Sequence, residues 1–239
     1  MKSDVIVERL KSLANPKDAK NLQWYFKTGP GEYGEGDVFI GIRVPAIRRL
    51  VKEYKAVDER TILGLLASPI HEARLLALLI LVRQFDFETP SARARIYRFY
   101  LAHTDRINNW DLVDLSAPTI VGGYLLERSH RPLFRLAKSK SLWERRVAVL
   151  ATFAFIRCNS FDDSLSLADL LLHDRHDLIH KAVGWMLREV GKRDQAVLES
   201  FLAPRCRDMP RTMLRYAIEK FSEAMRSKYM GRCSLCSML

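Results

Sequence analysis

The stretch Asn108-Asn109-Trp110-Asp111-Leu112-Val113-Asp114-Leu115 decides how the chain is read. It has the form of a helix start, with an asparagine to cap it and Asp111 beside the positive end of the dipole. Trp110 and Asp114 are four residues apart, so a helix places them on one face. An indole and a carboxylate then project together from a chain whose formal net charge is +11.

The same pattern recurs on both sides. Thirty-six residues earlier stands Glu72-Ala73-Arg74-Leu75-Leu76-Ala77-Leu78-Leu79, and 36 later Glu144-Arg145-Arg146-Val147-Ala148-Val149-Leu150-Ala151. A further 35 residues on is Ile179-His180-Lys181-Ala182-Val183-Gly184-Trp185-Met186. The fifth and eighth positions are apolar in every copy. Such a period, with two helices per unit, is that of an α-solenoid of HEAT-like repeats, whose units bury their apolar faces by stacking. Prolines fall mostly between the helical runs, and no alternating strand follows residue 40. The expected class is all-α, a curved array with a basic concave face.

The third and seventh positions share a different face. They read Arg74/Leu78, Trp110/Asp114, Arg146/Leu150 and Lys181/Trp185, with Arg188 one turn beyond. Stacking would align Arg74, Trp110, Asp114, Arg146, Lys181, Trp185 and Arg188, with Asp111 close by. Trp185 and Leu150 also suit an apolar core, which leaves the cations as a solvated face.

Upstream, Ser3 to Ala14 reads as a helix with Ile6, Leu10 and Leu13 on one side, and Pro16 opens a second. The run Thr28-Gly29-Pro30-Gly31-Glu32-Tyr33-Gly34-Glu35-Gly36-Asp37 ends that helix. It is either a surface loop or a short β-hairpin near residues 29–40, with Val38-Phe39-Ile40 as the return. Pro45 then starts a helix near Arg43, Arg48, Arg49 and Lys52.

No apolar run approaches the roughly eighteen residues of a membrane span, and the N-terminus shows no secretory signal. Of four cysteines, Cys233 and Cys236 form a lone CxxC without the second pair that a zinc site needs. Free thiols suit a reducing, cytoplasmic setting. No metal or cofactor is expected. One domain is expected over residues 1–228, followed by a tail over 229–239.

A basic face fits a polyanion, because Arg and Lys neutralise phosphates while indoles pack on sugars or bases. A lone carboxylate there is costly and needs a task. Stabilising an oxocarbenium-like sugar during N-glycosidic hydrolysis is one, with Arg146 keeping the carboxylate ionised.

Trp110-Asp111-Leu112-Val113-Asp114, Leu142-Trp143-Glu144-Arg145-Arg146 and Ala182-Val183-Gly184-Trp185-Met186-Leu187-Arg188-Glu189 resemble the AlkD-type DNA alkylation repair glycosylases over roughly residues 20–225. The resemblance implies a HEAT-like array that excises cationic alkylpurines such as 3-methyladenine and 7-methylguanine. The product is an abasic site in double-stranded DNA, and the lesion stays in the base stack. It implies that Asp114 is the catalytic carboxylate, that Arg146 is required, and that Trp110 and Trp185 contact the damaged nucleotide. The glycine-rich run resembles an insert of the AlkF and AlkG relatives, which are associated with branched DNA. On that likeness Tyr33, at the tip, probes a groove or junction. The expected function is base excision by a monomeric glycosylase. The alternatives are a non-catalytic binder of branched DNA and a scaffold for an acidic protein, with membrane-surface binding a minor one.

Overall fold

In the computed structural model residues 2–232 are described, so Cys233 and Cys236 lie outside the described part. The fold is all-α, as the periodicity predicts, and the chain divides after Ile120 into two compact units. The first holds α1 (Ser3–Lys11), α2 (Pro16–Tyr25), α3 (Val44–Glu53), α4 (Glu59–Leu66), α5 (His71–Phe87), α6 (Pro90–Ala102) and α7 (Trp110–Asp114). The second holds α8 (Gly123–Leu125), α9 (Arg131–Ala137), α10 (Leu142–Ala151), α11 (Phe153–Arg157), α12 (Asp162–Leu170), α13 (Asp177–Arg193), α14 (Gln195–Arg205), α15 (Arg211–Ala217) and α16 (Glu223–Arg232). No helix among the described residues is long and apolar enough to cross a membrane.

The first unit is built around α5. This helix packs against α1, α3, α4, α6 and α7, and residues 71–81 are buried without interruption. A helix enclosed on all sides needs apolar residues all round, and Leu75 through Leu81 supply them. The charged residues at its start, Glu72 and Arg74, are therefore buried too. The second unit is built around α13, which packs against α10, α11, α12, α14 and α15. The four repeat segments fall in α5, α7, α10 and α13. Their fifth-position residues Leu76, Leu112, Ala148 and Val183 are all in the core.

Several local expectations change. α1 ends at Lys11, so Leu13 passes beyond the helix and is exposed. The hairpin near residues 29–40 does not form. Gly31, Gly36 and Gly41 take φ of 76°, 85° and 87°, which turns the chain repeatedly instead of extending it. Val38 does run extended, but its parallel bridge is to Ile70, just before α5. The Glu72 carboxylate fixes this course by accepting hydrogen bonds from the backbone N–H groups of Ile40, Gly41 and Ile42. The tail boundary expected at residue 228 falls inside α16, whose Tyr229 packs against Phe221.

Candidate functional site

α7 is five residues long and has two kinds of surface. Asp111, Leu112 and Val113 are buried, whereas Trp110 and Asp114 remain partly exposed. Asn109 caps the helix by accepting from the Trp110 backbone N–H at 2.9 Å. The indole of Trp110 stacks on Phe26, with centroids 4.9 Å apart and planes 10° apart, and Tyr25 meets it edge-on at 5.9 Å. The column continues through Phe39 to His71, at 4.8 Å and 4.3 Å. Asp114 lies near Tyr100, a fully buried phenol bonded to Ser116 Oγ at 2.9 Å. Burial pushes the Tyr100 pKa up, and the Asp114 charge adds to the rise.

Beneath α7 is a buried ionic network that sequence reasoning missed. His71 Nδ1 lies 3.1 Å from Asp37 Oδ2 and its Nε2 lies 2.8 Å from Asp111 Oδ2. Only the imidazolium can donate at both nitrogens. Burial disfavours that charge, but Asp111 and the hydrogen bonds to both carboxylates outweigh it and push the His71 pKa up to about 9. Burial would likewise raise Asp37, yet the bond from His71 and the charge of Arg74 hold it down to about 2. Asp37 also accepts from Arg74 Nη2 at 2.5 Å, Asn108 Nδ2 at 3.1 Å and Asn109 Nδ2 at 3.2 Å. The glycine-rich segment thus brings a carboxylate that clamps the N-terminus of α7 to α5. Arg74, expected on the DNA-facing surface, is buried and paired. Tyr33 is half-buried, between the exposed residues 30–32 and 35–36.

A cavity of about 350 Å³ opens beside this network, lined from α2, α3 and α5 and by Asp111 of α7. Among the described residues no group of His, Cys, Asp and Glu is arranged to hold a metal ion.

The second unit carries the other expected residues. Arg146, on α10, is buried and donates from Nη1 to the Leu178 carbonyl at the start of α13, at 2.5 Å. Lys181, Trp185 and Arg188 follow one face of α13, at helical spacing. The cations there are partly neutralised on the spot. Lys181 pairs with Asp177 at 2.7 Å, and Arg188 pairs with Glu189 at 3.3 Å and with Glu219. Trp185 Nε1 donates to Glu189 Oε1 at 3.0 Å. Thus Trp110, Asp111, Asp114 and Arg74 gather around α5 and α7, and Arg146, Lys181, Trp185 and Arg188 on α10 and α13.

The signals for the missed residues were faint. Asp37 sits at the end of a run that reads as a loop, and a single His71 gives no pattern. Tyr25 and Phe26 lie in the run Trp24-Tyr25-Phe26, which by itself points to no partner.

A sequence model described as DNA alkylation repair enzyme matches residues 6–221. No curated protein matches the chain in sequence. Among solved structures, the chain is similar to a predicted DNA alkylation repair enzyme from Enterococcus faecalis. That likeness has 17% identity and a TM-score of 0.67, and covers 88% of this chain and 97% of the other. At that identity it speaks to the fold.

Proposed function

Because the chain belongs to the DNA alkylation repair enzyme family, we propose that it is a DNA glycosylase that hydrolyses the N-glycosidic bond of cationic alkylated purines. The observation that carries this reading is the exposure pattern of α7: three buried residues flanked by an indole and a carboxylate left at the surface. Asp114 stabilises the sugar cation as the C1′–N bond breaks. The bond electrons go to the base, which leaves neutral because it was positively charged. Water then adds at C1′ and gives up a proton. A cationic leaving group needs no general acid, so 3-methyladenine and 7-methylguanine are the substrates of choice. Trp110 packs on the nucleotide beside Asp114, while Lys181 and Arg188, partly exposed on α13, are the cations suited to backbone phosphates.

The test is single-turnover base release from methylated duplex DNA, with wild type and Asp114→Asn side by side at fixed salt. The expected result is release by wild type and a loss of about a hundredfold or more in the variant, the scale of removing one electrostatic stabiliser. Equal rates would remove Asp114 from the chemistry. Arg146→Ala should lower both binding and rate.

A further inference from the structure

Helix α3 carries charges that the candidate site leaves unused. Ile47, Leu50 and Val51 turn one side of it into the core, where it packs on α5. Arg48, Arg49 and Lys52 are left on the opposite face, and all three are exposed. Arg48 is four residues from Lys52 and Arg49 is three, so each faces Lys52 across about 5–6 Å between Cβ atoms.

Nothing on the protein neutralises this face. The first turn of α3 holds no acidic residue, and its one carboxylate is Glu53. Among the described residues, neither Glu53 nor any other group pairs with the three cations. The basic residues nearer the candidate sites are treated differently. Arg43 is held by both oxygens of Asp18, each at 3.0 Å, and Arg74 by Asp37. Lys181 is paired with Asp177, and Arg188 with Glu189. Like charges one turn apart repel and weaken a helix. A face that keeps three of them without a counter-charge suits an anion from outside.

α3 also starts at the site. Val44, its first residue, lines the cavity of about 350 Å³ together with Asn21, Tyr25 and Asp111, and Tyr25 meets Trp110 edge-on at 5.9 Å. At about 1.5 Å of rise per residue, Arg48 lies about 6 Å and Lys52 about 12 Å along the helix from Val44. A DNA strand advances about 3.4 Å per nucleotide. The cations are therefore within a few phosphates of a nucleotide placed on Trp110.

We propose that Arg48, Arg49 and Lys52 form a phosphate track that holds the backbone of duplex DNA beside the nucleotide on Trp110, without reading its sequence. The inference rests on the reading of the chain as DNA-acting and extends it to a helix outside the repeat register. A phosphate backbone fits this face better than a lipid surface does. A membrane-binding helix buries its apolar side in the bilayer. Here that side is packed in the core, and α3 exposes no large apolar side chain.

The experiment is fluorescence anisotropy on a labelled, undamaged duplex, repeated between about 50 and 200 mM salt. Each phosphate contact adds about 0.9 to the slope of log affinity against log salt. Arg48→Gln/Arg49→Gln/Lys52→Gln should lower the slope by about 2.7, so that wild type loses about fortyfold more affinity than the variant across this range. Each single substitution should lower the slope by about 0.9. Because it removes like-charge pairs, the triple variant should melt at or above the wild-type temperature, which separates a binding defect from a folding defect. Arg131→Gln/Arg135→Gln/Lys138→Gln removes the same charge from exposed positions at α9 and should keep the wild-type slope. An unchanged slope in the α3 variant, or an equal fall in both triple variants, overturns the track and leaves the DNA reading standing. Lost binding to phosphatidylserine vesicles with an unchanged DNA slope assigns the face to a membrane and overturns the track as well. Absence of saturable duplex binding by wild type overturns the DNA reading, and the track with it.

Discussion

α5 and α13 are both 17 residues long and hold corresponding places in the repeat, yet they treat the same position in opposite ways. Arg74 and Lys181 occupy the third position of their copies. Arg74 is buried and bonded to a carboxylate that arrives from residue 37. Lys181 stays partly exposed and pairs with Asp177 on its own helix, one turn away. The repeat fixes where a cation sits along the helix. Whether it faces water or the core depends on what covers that stretch, and in the first unit the glycine-rich segment covers it. One cation is therefore held inside the fold, and the other stays at a partly exposed position with a partner on its own helix.

The largest test of this difference is removal of each carboxylate. Asp37→Ala leaves Arg74 and His71 as buried charges short of a partner, and should cost about 3–5 kcal/mol in urea unfolding. If that variant melts like wild type, the buried network does not hold the first unit together.

The second test is pH. A raised His71 pKa means that the stability it contributes is fully present below its ordinary value of 6.5 and is lost as pH rises through about 9. Stability should fall across that interval by on the order of 3 kcal/mol. At the acid end the contribution of Asp37 is fully present above its ordinary value of 3.8 and is lost as pH falls through about 2. His71→Asn should flatten the alkaline limb. A wild-type limb that is already flat would contradict the imidazolium.

The third test is backbone. Gly41 has φ of 87°, and a Cβ there would stand 2.1 Å from the Asn15 carbonyl oxygen. Gly41→Ala should destabilise by about 2 kcal/mol or more, whereas Gly36→Ala, with open space around its Cβ, should cost only about 1 kcal/mol of backbone strain. Equal thermal shifts would mean that the close approach at Gly41 relaxes freely.

The smallest effect belongs to the second unit. Asp177→Ala removes an i,i+4 partner from Lys181 and should change stability by only about 0.3–0.5 kcal/mol. On the proposed DNA surface it should strengthen binding, since it removes a carboxylate that repels phosphate. Weaker binding would show that Lys181 faces no DNA.

The repeat was legible because burial of an apolar face imposes a period, and Leu76, Leu112, Ala148 and Val183 carry it without a gap. The pairing of Trp110 with Asp114 was legible for the same reason, since helical spacing alone puts them together. The role of Asp37 was not. Its partners Arg74, Asn108 and Asn109 lie 37, 71 and 72 residues away, and no local rule links a loop carboxylate to them. Arg74 was misplaced because a helix face tells which residues share a side, and says nothing of what packs on that side. The hairpin was expected because glycines and an extended return suit one. It was replaced because Glu72 offered the return a better partner for its amides.

By itself, then, the sequence determined an all-α repeat, its register, and the neighbours Trp110 and Asp114, all through short-range periodicity. Only the tertiary structure decided which cations are buried, how α7 is clamped, and that a cavity opens at Asp111. Those features depend on charges meeting over long separations in a low-dielectric interior, where a buried group is tolerated only when a specific partner reaches it.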